Sequence, residues 1–312
     1  SAPGFVIKRI EFDNFLAEEA RKAELVDFRE GVNIDSIVKN SEGFLLSGNE
    51  GQFLEQAKLI LVANGAHSKF SRDYAGIKKE NKHYAGAVRA YYKNVRGLHS
   101  DGFIELHFIK KYLPGYFWIF PMENGLANIG MGLRTDFLSK KRLNLKKSMQ
   151  EIIEEHPQIS KRFKNATLES KVKGHPLPLG SKKYNISGDN FMLLGDAAHL
   201  IDPFTGEGVG NAMYSGWVAG EQIGECIKKN DFSAKILKDY DIRIRRVMGT
   251  EMKLSYRMQQ LLIYPWLSNI FANRVAKNEK FTKFVIRMYT DLELRKKLVR
   301  PGFLLKVILG RI

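Results

Sequence analysis

A chain of 312 residues, 44% hydrophobic and 27% charged, has the composition of a folded protein large enough for two cores, not of a disordered or low-complexity one. Its single cysteine, Cys226, excludes a disulfide framework and points to a reducing, cytoplasmic setting, and no apolar run reaches the roughly 20 residues that cross a bilayer. The net charge of +16 is uneven, with 18 Lys/Arg against 7 Asp/Glu from Asp231 to Ile312; this fits a solvated helical face or peripheral contact with the inner face of an anionic membrane. Nucleic acid is not expected, because no zinc spacing, aromatic RNA-binding signature or helix-turn-helix glycine pattern accompanies the charge.

Near the start, Phe12, Leu16 and Ala20 recur at helical spacing after an extended lead-in, which predicts a helix. Three short strands follow in GVNIDSIVKN, EGFLLSGN and AKLILVANG, read as a meander that returns to a parallel sheet. From Tyr84 to Leu133 the runs AGAVRAYYKNV, GFIELHFI, GYFWIFP and LANIGMGL are rich in aromatic and β-branched residues and predict an antiparallel sheet. A helix around Leu143 to Glu155 and the Pro-containing KGHPLPLG then lead to a buried strand, DNFMLLGD. A helix after Gly208 opens a mostly helical final third.

The junction LLGDAAHLIDPFTGEGVGNAM carries the strongest chemical signal. A strand runs into Gly-Asp, passes a Pro-Phe-x-Gly-x-Gly turn and enters a helix, which puts backbone N–H groups and the positive end of a helix dipole beside a strand end. Gly206, Gly208 and Gly210 allow a ligand to approach the backbone, and Asp196 is able to accept hydrogen bonds from ligand hydroxyls. The plainer reading is a helix start with glycine turns and an Asp that serves the loop. The histidines show no metal-ligand spacing, so no metal is expected. His199 reads as a loop or core histidine and Cys226 as a small buried hydrophobe, and no catalytic residue is assigned.

That junction resembles the second flavin-binding motif of FAD-dependent oxidoreductases with the aromatic hydroxylase fold. VIKRIEFDNFLAEEA and LILVANGAHSKFSR are similar to two further motifs of those enzymes, although Asn64 stands where the second usually has Asp. GYFWIFPMENGLANIGMGL, with Met122 in place of a frequent Lys, resembles the signature of the geranylgeranyl reductase family. The resemblance implies an α/β fold with α+β elements: an FAD-binding domain split over residues 1–76 and 180–229, an inserted antiparallel substrate domain over 77–179, and a helical, basic C-terminal region over 230–312. It implies that Asp196 holds the ribityl chain, that Pro203, Gly206 and Gly208 wrap the isoalloxazine, and that Gly195, Val209 and Asn211 complete this side. Arg9 would reach the cofactor's phosphates. Tyr116, Trp118, Phe120 and Pro121 would line a hydrocarbon site; their plainer reading is a strand adding its aromatics to an ordinary core.

The implied function is reduction of carbon–carbon double bonds in a polyprenyl lipid or quinone by reduced FAD, with no residue identifying the external reductant. An aromatic-ring monooxygenase is the first alternative, and would use Arg89, Arg96 or Arg134 to anchor a small polar substrate. A lipid- or partner-binding protein without FAD is the second. The family's Gly-x-Gly-x-x-Gly unit for the ADP half of FAD does not precede Gly4, so this chain alone is expected to hold FAD weakly or not at all.

Overall fold

A computed structural model describes residues 6–279 and 300–309, together with Lys283 and Lys297. The chain opens with α1 (Arg9–Arg21) and then runs through β1 (Ile34–Asn40), β2 (Gly43–Gly48), β3 (Phe53–Ala57) and β4 (Ile60–Val62). After α2 (Lys69–Asp73) come β5 (Tyr84–Lys93), β6 (Glu105–His107), β7 (Tyr116–Pro121) and β8 (Leu126–Arg134). Next are α3 (Thr135–Lys141), α4 (Leu145–Glu155), α5 (Ser160–Phe163), β9 (Thr167–Leu168), β10 (Lys173–Pro178), β11 (Ser187–Gly188) and β12 (Phe191–Leu193). The helices α6 (Val209–Lys229), α7 (Ala234–Leu261), α8 (Pro265–Lys277) and α9 (Pro301–Leu309) follow.

This is the expected mixed α/β architecture. β1, β2 and β3 form the antiparallel meander, and β4 pairs in parallel with β12, which β11 flanks. The central sheet has the order β10-β5-β8-β7-β6, with β9 also paired to β5. Two features of the fold escape the sequence patterns. β3 is a separate strand that the mixed stretch around Phe53 conceals. KGHPLPLG is not a mere lead-in but β10, at the edge of the sheet, the place where proline is tolerated. Its pairing shows why: Leu179 N–H donates inward to His83 O at 2.9 Å, so the alternate positions Pro176 and Pro178 fall where an N–H would point away from β5.

Two cores hold the fold. The first gathers Phe44, Phe70, Met192, Leu193, Val218, Ala219, Cys226 and Tyr240, all buried, beneath the β4–β12 pair and helices α6 and α7. Cys226 is thus the buried hydrophobe expected. The second packs α4 and α5 against one face of the central sheet through Val88, Ala90, Phe117, Ile119, Ile129, Met131, Met149, Ile152 and Phe163. Strand alternation assigns that face: Phe117 and Ile119 are 1% and 0% exposed, while their neighbours Tyr116, Trp118 and Phe120 turn to the other side.

The described part of the basic C-terminal region is helical, and its residues 280–299, apart from Lys283 and Lys297, lie outside the described set. Among the described residues no helix is long and apolar enough to cross a membrane. α7 is pinned by a buried carboxylate. Asp241, 0% exposed, accepts Ile186 N–H at 2.8 Å and Ser187 Oγ–H at 2.7 Å, with Lys238 Nζ at 3.3 Å. Removing it strands a backbone donor and a hydroxyl in the interior, so Asp241→Ala is expected to cost about 2–4 kcal/mol in urea unfolding at unchanged m-value. A loss below about 0.5 kcal/mol would mean that water replaces the carboxylate without penalty.

Candidate functional site

The junction after β12 is built by local turn chemistry. Gly195 adopts φ 54°, and a Cβ there would lie 2.9 Å from Ala212 Cβ, so only glycine lets the strand end sit this close to α6. Gly195 N–H donates to Ser215 Oγ at 3.0 Å. Asp202 Oδ1 then accepts the N–H groups of Phe204 and Thr205 at 2.9 and 2.8 Å, closing an Asx-type turn. Gly206 follows at φ 73°. Gly208 precedes α6 without any side-chain cap, leaving the helix N-terminus polar toward whatever lies in front of it.

The loop from Asp202 to Gly208 is held by other parts of the chain. Tyr116 Oη–H donates to Thr205 O, and Gln259 Nε2–H, from α7, donates to Pro203 O. Arg134 Nη1–H in turn donates to Gln259 Oε1 at 3.3 Å, while its Nε and Nη2 grip Asp136 at 2.7 Å each. Asn211 spends its amide N–H on Leu200 O at 2.7 Å, so it steadies the loop. Val209 begins α6 half-exposed.

Asp196 is different in kind. Its side chain is 27% exposed and accepts no hydrogen bond among the described residues; His175 Nε2 stands 4.0 Å from Oδ2. Burial pushes its carboxyl above the ordinary range, against the pull of His175 and Arg9. Arg9 therefore lies within electrostatic reach of Asp196, although its guanidinium is paired with Asp13 at 3.0 and 3.1 Å on the surface of α1. His67 meets His175 edge to face at 6.1 Å. His199 is a core residue as expected: it is 4% exposed, with Nε2 3.1 Å from Tyr84 Oη and its Nδ1 without a partner among the described residues.

Beside this loop lies the open face of the central sheet. Phe108, Tyr116, Trp118 and Phe120 follow one another at ring-centroid spacings of 6.0 Å. Trp118 rests on β8: a Cβ on Gly130 would be 2.2 Å from its Cζ2, and its Nε1–H donates to Asn128 Oδ1 at 3.1 Å. The register sets Tyr116 opposite Gly132 and Trp118 opposite Gly130, and sets those glycines opposite Ala87 and Arg89 of β5. The face thus has an aromatic wall, a floor of Gly130, Gly132, Ala85 and Ala87, and a polar side. Pro121 does not join the wall, because it pairs with buried Ala127 and has the parity of Phe117 and Ile119.

Of the three arginines weighed as anchors for a small polar substrate, Arg134 is spent on Asp136 and Gln259. Arg96 lies beyond β5, its carbonyl accepting from Arg162 Nε–H at 2.8 Å. Arg134 shares the open face through its pairing with Ala85 but is buried, so Arg89 alone of the three is half-exposed there. Sequence reading missed Leu106 and Phe108, both exposed beside the wall, as well as the glycine floor and Gln259. Only the period-two pattern of AGAVRAYY and LANIGMGL hinted at the floor. Among the described residues no group of His, Cys, Asp and Glu side chains could hold a metal ion.

Residues 84–173, which span most of this sheet, match the geranylgeranyl reductase catalytic domain family. A digeranylgeranylglycerophospholipid reductase of Methanosarcina acetivorans is 30% identical over 93% of this chain and 70% of its own length. One of Methanosphaerula palustris is 30% identical over 95% and 72%. The chain spans 64% of the length of the Methanocella arvoryzae relative and 59% of that of the Thermoplasma volcanium relative. In fold it is similar to a geranylgeranyl bacteriochlorophyll reductase-like protein of Thermoplasma acidophilum, with a TM-score of 0.73 at 24% identity over 99% of this chain and 74% of that one. It is also similar to a flavin-dependent brominase, with a TM-score of 0.70 at 23% identity over 92% and 70%.

The buried imidazole beside the loop makes stability pH-dependent. Burial, and secondarily the nearby His83, pushes His199 down to about 4. The unfolded chain binds this proton near its ordinary 6.5 while the native state resists it, so stability that is complete above that value is lost as pH falls toward 4. The loss from His199 is about 3 kcal/mol, and burial of His83 acts in the same direction. His199→Asn, which keeps a residue tolerant of φ 56°, should flatten urea-unfolding stability between about pH 7.5 and 4.5. An unchanged slope in that variant would assign the acid sensitivity to other groups.

Proposed function

The chain belongs to the geranylgeranyl reductase family, and from that premise we propose that the complete protein is an FAD-dependent oxidoreductase that saturates double bonds of a polyprenyl lipid or quinone. The observation that carries this reading is the aromatic wall over a glycine and alanine floor, joined to the glycine loop by the Tyr116–Thr205 hydrogen bond. A prenyl chain offers nothing but apolar surface, and burying even part of one five-carbon unit contributes about 2–4 kcal/mol. A small phenol gains less from such a wall and depends on a charged or hydrogen-bonding anchor.

The loop suits a flavin cofactor. Asp196 is a partly desolvated carboxylate with no hydrogen-bond donor among the described residues, the arrangement that ribityl hydroxyls would satisfy. A Cβ at Gly208 would come 3.0 Å from Ile201 Cγ1, so glycine there lets the loop pack against buried Ile201 and stay close to Asp196. A bound reduced flavin would supply the hydride, because no side chain supplies one. The protein's own part is to hold the loop through Tyr116, Gln259 and Asp202, to exclude water with Trp118 and Phe120, and to keep the chain straight along the floor.

Two measurements check this. Asp196→Ala in the complete protein should weaken FAD retention about ten- to a hundredfold, the loss of a charge-assisted hydrogen bond worth roughly 1.5–3 kcal/mol; unchanged retention after dialysis would make Asp196 a loop residue. With reduced FAD and no oxygen, a geranylgeranyl lipid should gain about two mass units per bond reduced. If no prenyl lipid is saturated while oxygen and an aromatic acid give a hydroxylated product, the monooxygenase reading takes its place.

A further inference from the structure

The two borders of the central sheet are built differently. At the β10 border like charges confront each other, Lys173 opposite Arg89 of β5, which discourages further pairing. At the other border β6 pairs with β7 alone, within the stretch FIELHFI, Phe103 to Ile109. That stretch runs without a helix or turn, and Phe103, Ile104, Leu106 and Phe108 are 42–59% exposed. It carries no lysine or proline, the usual guards of an edge.

Hydrogen-bond parity shows which of its backbone groups face outward. Met122 N–H donates to Leu126 O at 2.8 Å, so the even-numbered N–H groups of β7 turn to β8 and the odd-numbered ones to β6. Phe117 and Ile119 therefore bond His107 and Glu105, the residues they face. The N–H and C=O groups of Ile104, Leu106 and Phe108 point away from β7, and among the described residues nothing pairs with them outside that ladder.

The order of residues is self-complementary about Leu106. When a second copy pairs antiparallel on this edge with a two-fold axis at Leu106, each residue meets the one equally far along on the other side. Ile104 meets the partner's Phe108, Phe103 the partner's Ile109 and Glu105 the partner's His107, while the two Leu106 side chains meet each other. Apolar groups thus face apolar groups, and a carboxylate faces an imidazole donor. Moving the axis by one residue sets Glu105 against Glu105 or His107 against His107. At the favoured register Glu105 keeps the grip of Arg162 at 2.5 and 2.7 Å, so its charge is already balanced within each copy.

We propose that two copies of this chain pair through the outer edge of β6, antiparallel and centred on Leu106, and join their central sheets into one. The contact is isologous and closed, so it uses up the β6 edge in both copies. Leu106 and Phe108 lie on the face that carries Trp118 and Tyr116, so the partner's Ile104 and Phe108 extend each aromatic row across the axis. The pairing rests on edge chemistry and not on the reading of the ligand.

Cysteine substitution reads the register directly, because the chain's own Cys226 is buried. Facing residues of an antiparallel ladder lie about 4.5–5.5 Å apart at Cα, within the span of a disulfide. Under mild oxidation Leu106→Cys should cross-link to itself, whereas Ile104→Cys and Phe108→Cys should cross-link only when mixed. Sedimentation should show reversible dimers of the unsubstituted chain, weakened about tenfold or more by Leu106→Lys, which sets two like charges face to face. The cross-linking pattern decides the matter even where Leu106→Lys does not fold by circular dichroism. A monomeric chain, dimers that resist Leu106→Lys in a folded variant, or Ile104→Cys cross-linking to itself overturns the proposal. A complete protein that stays monomeric while this chain dimerises would give the edge to another part of the polypeptide. One that is monomeric but sediments with neutral lipid vesicles, and loses this with Leu106→Lys, would give it to a bilayer; either result also overturns the proposal.

Discussion

An indole laid on bare backbone governs what the central sheet can hold. Trp118 occupies the space that a side chain on Gly130 would need, so the sheet is thin at that point and walled on one side only. If β8 carried ordinary side chains there, the ring would stand upright, the floor would fill, and the face would close into a second core. Because the glycines alternate with Ile129, Met131 and Leu133, which are 0%, 0% and 1% exposed, the same strand is fully packed below and lies against the Trp118 ring above. The aromatic row gains this seat without weakening the packing that supports it.

This face of the sheet is tied to the glycine loop by contacts that come from distant parts of the chain. β7 reaches the loop through Tyr116, and α7 reaches it through Gln259, which β8 orients through Arg134. Gln259 and Arg134 are both buried, so these hydrogen bonds are shielded from competing water. A shift of the sheet relative to α7 would break contacts at both ends of the loop. The turn itself is local, but its place beside the aromatic wall is a tertiary fact.

That distinction separates what the sequence discloses from what it conceals. The turn of Asp202 to Gly208 was legible because its chemistry lies within seven consecutive residues, and the alternation of YFWIFP disclosed two faces of β7. Which face is core was not legible, since α4 and α5 decide it from residues 145–163. β10 was hidden by its prolines, which argue against a strand unless its edge position is known. The confrontation of Arg89 with Lys173 depends on the register between strands 84 residues apart in the chain, and one glutamine in the 28-residue α7 carries no local mark of its role. Pro121 was misplaced for a simpler reason: adjacent residues on a strand do not share a side.

The prolines of β10 bear on how molecules of this protein meet one another. An exposed sheet edge offers a ladder of donors and acceptors on which a strand from a second molecule can grow. Here two successive outward positions, Pro176 and Pro178, have no N–H to offer, so the ladder lacks rungs where an incoming strand would begin to pair. Self-association by strand addition is thus discouraged at the border that carries Lys173 and His175, and the cationic rim stays accessible even when the protein is crowded.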